Sequence, residues 1–171
     1  MISIVQASEK DAALLSALAK KTFLESHGHS ADPADIDRYV AEKYSDHILQ
    51  EELGDRGNIY HILWYDKIPV GYSKIIFDLP YPGSSLKNIT KLERIYLLKE
   101  FYNLDAGSAL FQFNLALSKE HEQLGIWLYT WIENSRAIRF YLKKGFRIIG
   151  SHDFQISTTH SNPNHLMFLE F

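Results

Sequence analysis

Tyr141 and Glu93 carry side chains of types that can transfer protons. Tyr141 lies in a helical stretch between Phe140 and Phe146, where a phenol can donate a proton at a rim or pack as part of an apolar face. Glu93 sits on a strand between Lys91 and Arg94, so its carboxylate can deprotonate an ammonium, directly or through water, or pair with either neighbour. The histidines promise less. His27-Gly28-His29 supplies two rings, too few for a metal site without partners, and His152 and His165 read as surface positions on the terminal strands, with flanking of a ligand site as the alternative. Trp127, Tyr129 and Trp131 alternate on one strand face, a core pattern rather than a ligand cage. Glu25, Asp32 and Asp78 are loop carboxylates that suit a cationic ligand by position alone. The absence of cysteine excludes disulfides, zinc–thiolate sites, iron–sulfur clusters and a thiol nucleophile.

The elements that must position these groups follow from patterning. Ile2 and Ile4 alternate as a strand, and Ser8 with Asp11 forms a capping-box signal before a helical stripe of Leu15, Leu18, Ala19, Thr22 and Phe23 that Gly28 breaks. Asp32-Pro33 opens a second helix, and Ser45 caps a third that ends at Gly54. Asn58 to Tyr65 and Ile68 to Phe77 form a hairpin about Asp66-Lys67. Leu79 to Ser85 is a loop before a strand from Leu92 to Leu98. Gly107 introduces a helix with the stripe Ala109, Leu110, Phe113 and Leu117. A strand from Leu124 to Trp131, a helix from Ser135 to Lys144 ended by Gly145, and strands over 146–156 and 165–171 complete the chain. The order predicts an α/β fold: a mixed, mostly antiparallel sheet of six to seven strands covered by helices on both faces.

A chain of 171 residues fits one domain, 1–171, able to bury roughly 70% of its unfolded surface. With 18 Lys+Arg against 21 Asp+Glu, the net charge of −3 gives no default attraction to nucleic acid. No apolar run reaches the roughly 20 residues of a membrane span, and Met1 to Val5 lacks a basic leader, so the expected location is cytoplasmic.

Two strand-loop-helix stretches carry a family resemblance. Leu92-Glu93-Arg94-Ile95-Tyr96-Leu97 with the loop through Gly107-Ser108-Ala109-Leu110, and Asn134-Ser135-Arg136-Ala137-Ile138-Arg139-Phe140-Tyr141-Leu142-Lys143-Lys144-Gly145-Phe146, resemble the cofactor-binding stretches of the GNAT N-acetyltransferases. Together with Thr22-Phe23 and Gly150 to Phe154, the likeness spans nearly the whole chain and leans toward the PaiA-type polyamine acetyltransferases. It implies the GNAT fold and acetyl-CoA as co-substrate. Backbone groups of Ile95, Tyr96 and Leu97 would hold the pantetheine arm. The loop and helix start at Asn103, Leu104, Asp105, Ala106, Gly107 and Ser108 would hold the pyrophosphate, where helix-end amides are unpaired donors and glycine admits the phosphates closely. The resemblance also implies that Asn134 and Ala137 meet the co-substrate, that the strand before Asn134 diverges from its neighbour to open a crevice, and that Tyr141 protonates the departing thiolate.

Two departures qualify this. The family loop reads Gln/Arg-x-x-Gly-x-Gly/Ala, whereas this chain has Tyr102-Asn103-Leu104-Asp105-Ala106-Gly107, keeping only the final glycine. Asp105 replaces a glycine and either repels the pyrophosphate or caps the helix, with the cap the favoured reading. The stretch from Ser157 to His165 lacks the acidic Gln-Thr-Asp turn of PaiA-like proteins, which leaves a polycation fewer partners. The expected function is acetyl transfer to a primary amine (a small amine, polyamine or peptide N-terminus) by direct attack in a ternary complex, without nucleic acid or membrane partners and with a homodimer allowed. The alternative is a catalytically weak or inactive GNAT-fold binding or regulatory protein.

Overall fold

A computed structural model describes residues 1–171. Along the chain run β1 (Ile2–Gln6), α1 (Ala12–His27), α2 (Pro33–Lys43), α3 (Asp46–Gly54), β2 (Ile59–Tyr65), β3 (Ile68–Ile76), β4 (Thr90–Leu97), α4 (Ala106–Glu120), β5 (Gly125–Trp131), α5 (Ser135–Lys143), β6 (Arg147–Gln155) and β7 (Ser161–Glu170). The sheet order is β1-β2-β3-β4-β5-β7-β6. β4 and β5 pair parallel, while β1–β2, β2–β3, β5–β7 and β6–β7 are antiparallel. This is the mixed, mostly antiparallel sheet that the element order implies. The chain resolves into two compact units, Met1–Ile75 with Arg94–Asn114, and Ile76–Glu93 with Leu115–Phe171.

In the first unit local chemistry sets the helix ends. The backbone N–H of Ser8 donates to the Asp11 carboxylate at 2.8 Å, completing the capping box at a short 3₁₀ turn that leads into α1. Leu15, Leu18, Ala19, Thr22 and Phe23 are all buried, as the helical stripe requires. The Thr22 hydroxyl is satisfied by donating to the Leu18 carbonyl at 2.8 Å. Ser45 accepts from the Ile48 amide at 3.3 Å, a cap that contributes about 1 kcal/mol. Phe23 stacks on Tyr39 and packs against Tyr44, which joins α1 to the α2 region through aromatic surface.

The β2–β3 register places Tyr60 opposite Lys74, His61 opposite Ser73 and Ile62 opposite Tyr72. Period-two alternation therefore sends His61 and Ser73 to one face and Tyr60, Tyr72 and Lys74 to the other. The first face meets α4: His61 lies edge-on to Phe113, and Asn114 donates to the Ser73 hydroxyl at 2.9 Å. Gly71 is required where β3 closes on the end of β4, because a Cβ there would stand 2.7 Å from the Tyr96 carbonyl oxygen and the Leu97 side chain.

The second unit packs around Ile89, Trp127, Leu166 and Phe168, with Tyr81, Leu86 and Tyr129 against them. The Trp127 indole donates to the Leu79 carbonyl at 2.7 Å, fixing the loop that follows β3. Asp78 is committed to the same task. Its amide donates to the Gln123 side chain at 3.0 Å, and its carboxylate accepts from that side chain at 2.9 Å. The final strand begins at Ser161 rather than His165, and its first residues pair with β6 from Gln155↔Ser161 to His152↔Asn164. Pro163 and two asparagines hide this strand in the sequence. Proline lacks only the donor, and the Pro163 carbonyl accepts from Ile132 at 3.0 Å.

Burial pulls the pKa of His61 down to about 4, and burial with His29 does the same to His27. Between pH 6.5 and 4 the unfolded chain therefore binds protons that the native chain refuses, so this contribution is complete above pH 6.5 and is lost as pH falls toward 4. The melting temperature should drop over that window, and His61→Leu should make the drop shallower. An identical acid slope in wild type and variant would exclude His61 as a cause.

Candidate active site

Ile95, Tyr96 and Leu97 close β4 in the first unit, all half-buried. The Tyr96 ring stacks on Tyr72 at a centroid distance of 5.8 Å and meets the edge of His27 at 6.0 Å. Asn103, Leu104 and Asp105 are exposed, Ala106 is buried, and Gly107 and Ser108 lie half-buried in the first turn of α4. A Cβ on Gly107 would meet nothing within 4 Å, so the space above this turn is open to a ligand.

Asp105 corrects a sequence expectation. It does not cap α4 through its side chain; its backbone carbonyl accepts from Ala109 at 3.0 Å, and its φ is +54°. The left-handed region suits glycine and tolerates aspartate at about 1 kcal/mol. The backbone at this position thus has a conformation natural to glycine although the side chain is a carboxylate.

The same unit contains a polar cluster that sequence patterning did not single out. The Glu52 carboxylate accepts from Tyr60 at 2.5 Å, Lys74 at 2.9 Å and Arg94 at 3.3 Å. Burial pushes the Glu52 pKa up, but Arg94 and the bonds from Tyr60 and Lys74 outweigh it and hold the carboxyl below its ordinary value. Arg94 also donates to the Tyr60 hydroxyl at 2.7 Å and lies over the Tyr44 ring at 5.0 Å. The available signal was phase: Lys74 and Arg94 are charged residues at positions that alternate in step with buried Tyr72 and Leu92.

In the second unit, the parallel ladder of β4 and β5 consists of Thr90↔Ile126 and Lys91↔Trp127, after which Leu92 and Glu93 continue without a β5 partner. Glu93 sits 4.0 Å from Lys91, whose ammonium lies over Trp127 and Tyr129, while Arg94 turns instead to Glu52. Trp127 and Trp131 are buried as expected, and Tyr129 stacks on His152 at 4.4 Å. Asn134 caps α5 by accepting from the Ala137 amide at 3.2 Å, which leaves its Nδ2 as the group it can offer a ligand. Tyr141 is 7% exposed, edge-on to Phe140 and Phe146, and burial raises its pKa.

The acetyltransferase (GNAT) family matches residues 17–146. The chain belongs to that family, whose members move an acetyl group from acetyl-CoA. It is 29% identical over 153 residues to an uncharacterized N-acetyltransferase of Lactobacillus delbrueckii subsp. lactis, covering 90% of this chain and 88% of that one. It is 30% identical over 152 residues to an uncharacterized N-acetyltransferase of Mycobacterium bovis, covering 89% and 93%. The PaiA N-acetyltransferase of Thermoplasma acidophilum, solved in complex with coenzyme A, superposes with a TM-score of 0.79 at 21% identity, covering 100% of this chain and 99% of that one. No helix is long and apolar enough to cross a membrane.

Proposed function

We propose that this chain acetylates a primary amine by direct attack on acetyl-CoA within a ternary complex. The observation that carries the reading is the early end of the β4–β5 ladder, at Lys91↔Trp127. A strand edge without a neighbour offers backbone donors and acceptors, and the pantetheine arm carries amides that can take the place of the missing strand. Ile95, Tyr96 and Leu97 follow in β4 as its track. The turn from Asn103 to Ser108, with open space at Gly107, holds the pyrophosphate on the α4 amides. Asn134 and Ala137 contribute from the start of α5.

The amine lone pair attacks the thioester carbonyl carbon, a C–N bond forms, and the C–S bond breaks. Tyr141 gives its proton to the sulfur, and Glu93 accepts the proton that the ammonium must lose before attack. Holding the two reactants together supplies much of the rate, so no covalent nucleophile is needed. The reading is supported by the positive φ at Asp105, a backbone conformation that glycine adopts freely.

An ammonium is unreactive, so turnover with saturating acetyl-CoA should rise between about pH 6 and 9. Glu93→Gln should lower the rate more at pH 7 than at pH 9, where the free amine is abundant. Equal losses at every pH would make Glu93 a structural residue.

A further inference from the structure

We infer that the acceptor carries a carboxylate in addition to its amine, and that Arg94, with the Tyr72 hydroxyl beside it, binds that carboxylate. This deepens the acetyl-transfer reading and rests on it. Arg94 lies one residue before the proposed pantetheine track, and it shares its strand face with Tyr96. Its side chain is 13% exposed. Both of its hydrogen bonds leave from Nη1, to Glu52 and to the Tyr60 hydroxyl, so Nη2 and Nε are unengaged. A guanidinium with one edge unused presents the planar fork that matches a carboxylate.

Its charge is also incompletely matched. Glu52 gives Arg94 a 3.3 Å contact, while Lys74 and Tyr60 hold the same carboxylate at 2.9 and 2.5 Å. Tyr72 supplies the second observation. It is 0% exposed, its hydroxyl has no hydrogen-bond partner, and its ring stacks on that of Tyr60, whose hydroxyl accepts from Arg94 at 2.7 Å. A buried hydroxyl left unpaired is unfavourable by an amount that a bound acceptor atom would recover. On the strand face of Arg94 the half-buried ring of Tyr96, with the half-buried His27 edge-on to it, offers an aromatic contact that suits the apolar stem of a small amino acid.

The test compares lysine with cadaverine and ornithine with putrescine, pairs that differ only in the carboxylate. With full chain and acetyl-CoA, kcat/KM for the carboxylate-bearing member should be about 10²-fold higher. Arg94→Gln should bring the ratio close to one. Glu52→Gln, which keeps the side-chain shape and removes the competing charge, should raise it severalfold. That second variant keeps the test open if Arg94→Gln does not fold. Thermal shifts with lysine and cadaverine in the presence of CoA read the same site without turnover, so loss of acetyl transfer alone would strike the functional reading and leave this one decided by binding. Equal or better use of the diamines, with equal shifts, would overturn the inference. So would a carboxylate preference that survives Arg94→Gln.

Discussion

Tyr141→Phe is expected to lower turnover by about 10²-fold or more while leaving acetyl-CoA affinity nearly unchanged. The hydroxyl's contribution matures as charge develops on sulfur, so it acts on the transition state rather than on ground-state binding. Burial raises the Tyr141 pKa, which keeps the phenol protonated across any practical assay range. The variant preserves the ring and its edge-on contacts with Phe140 and Phe146, so the fold should be little affected. Stopped-flow release of CoA thiol, combined with calorimetric acetyl-CoA binding, separates the two effects. Unchanged turnover would remove Tyr141 from the mechanism. A parallel loss of affinity would make it a packing residue.

Asp105→Gly is expected to tighten acetyl-CoA binding by roughly 1–3 kcal/mol, up to about a hundredfold. The carboxylate stands at the turn proposed to hold the pyrophosphate, and two charges about 6 Å apart repel by that amount at an effective dielectric between ~80 and ~20. Because the Asp105 side chain does not cap α4, its removal forfeits no cap, and at φ +54° glycine relieves backbone strain as well. The gain should shrink as salt rises, since screening weakens only the electrostatic part. Equal or weaker binding by the variant would place the Asp105 charge away from the phosphates.

These two residues also show what the sequence could and could not convey. Helices were legible because their punctuation is local: the Ser8/Asp11 box, Pro33 at the start of α2 and the Ser45 cap all operate within four residues. The helix that carries Tyr141 was legible in the same way, from the Asn134 cap to Gly145. Asp105 was legible as a departure but not in its consequence, since residue type favours a cap whereas the left-handed φ turns on the geometry of the whole loop. The first residues of β7 escaped notice because Asn162, Pro163 and Asn164 are poor strand formers in isolation, and their pairing partners lie in β6. The Glu52 cluster depends on contacts 8, 22 and 42 residues apart, which no local pattern encodes. Arg94 therefore reads locally as one of a run of charged residues, although its partners are a helix carboxylate and a set of tyrosines.

The central claim, direct acetyl transfer from acetyl-CoA to an amine, is tested most directly by following CoA release and acetylated amine together in one reaction of the full chain. The account predicts one acetylated amine per CoA released, initial-rate lines that intersect as both substrates vary, and no acetylated protein when amine is withheld. Acetyl-CoA binding without amine-dependent CoA release, or accumulation of an acetylated protein that then reacts with amine, would contradict it.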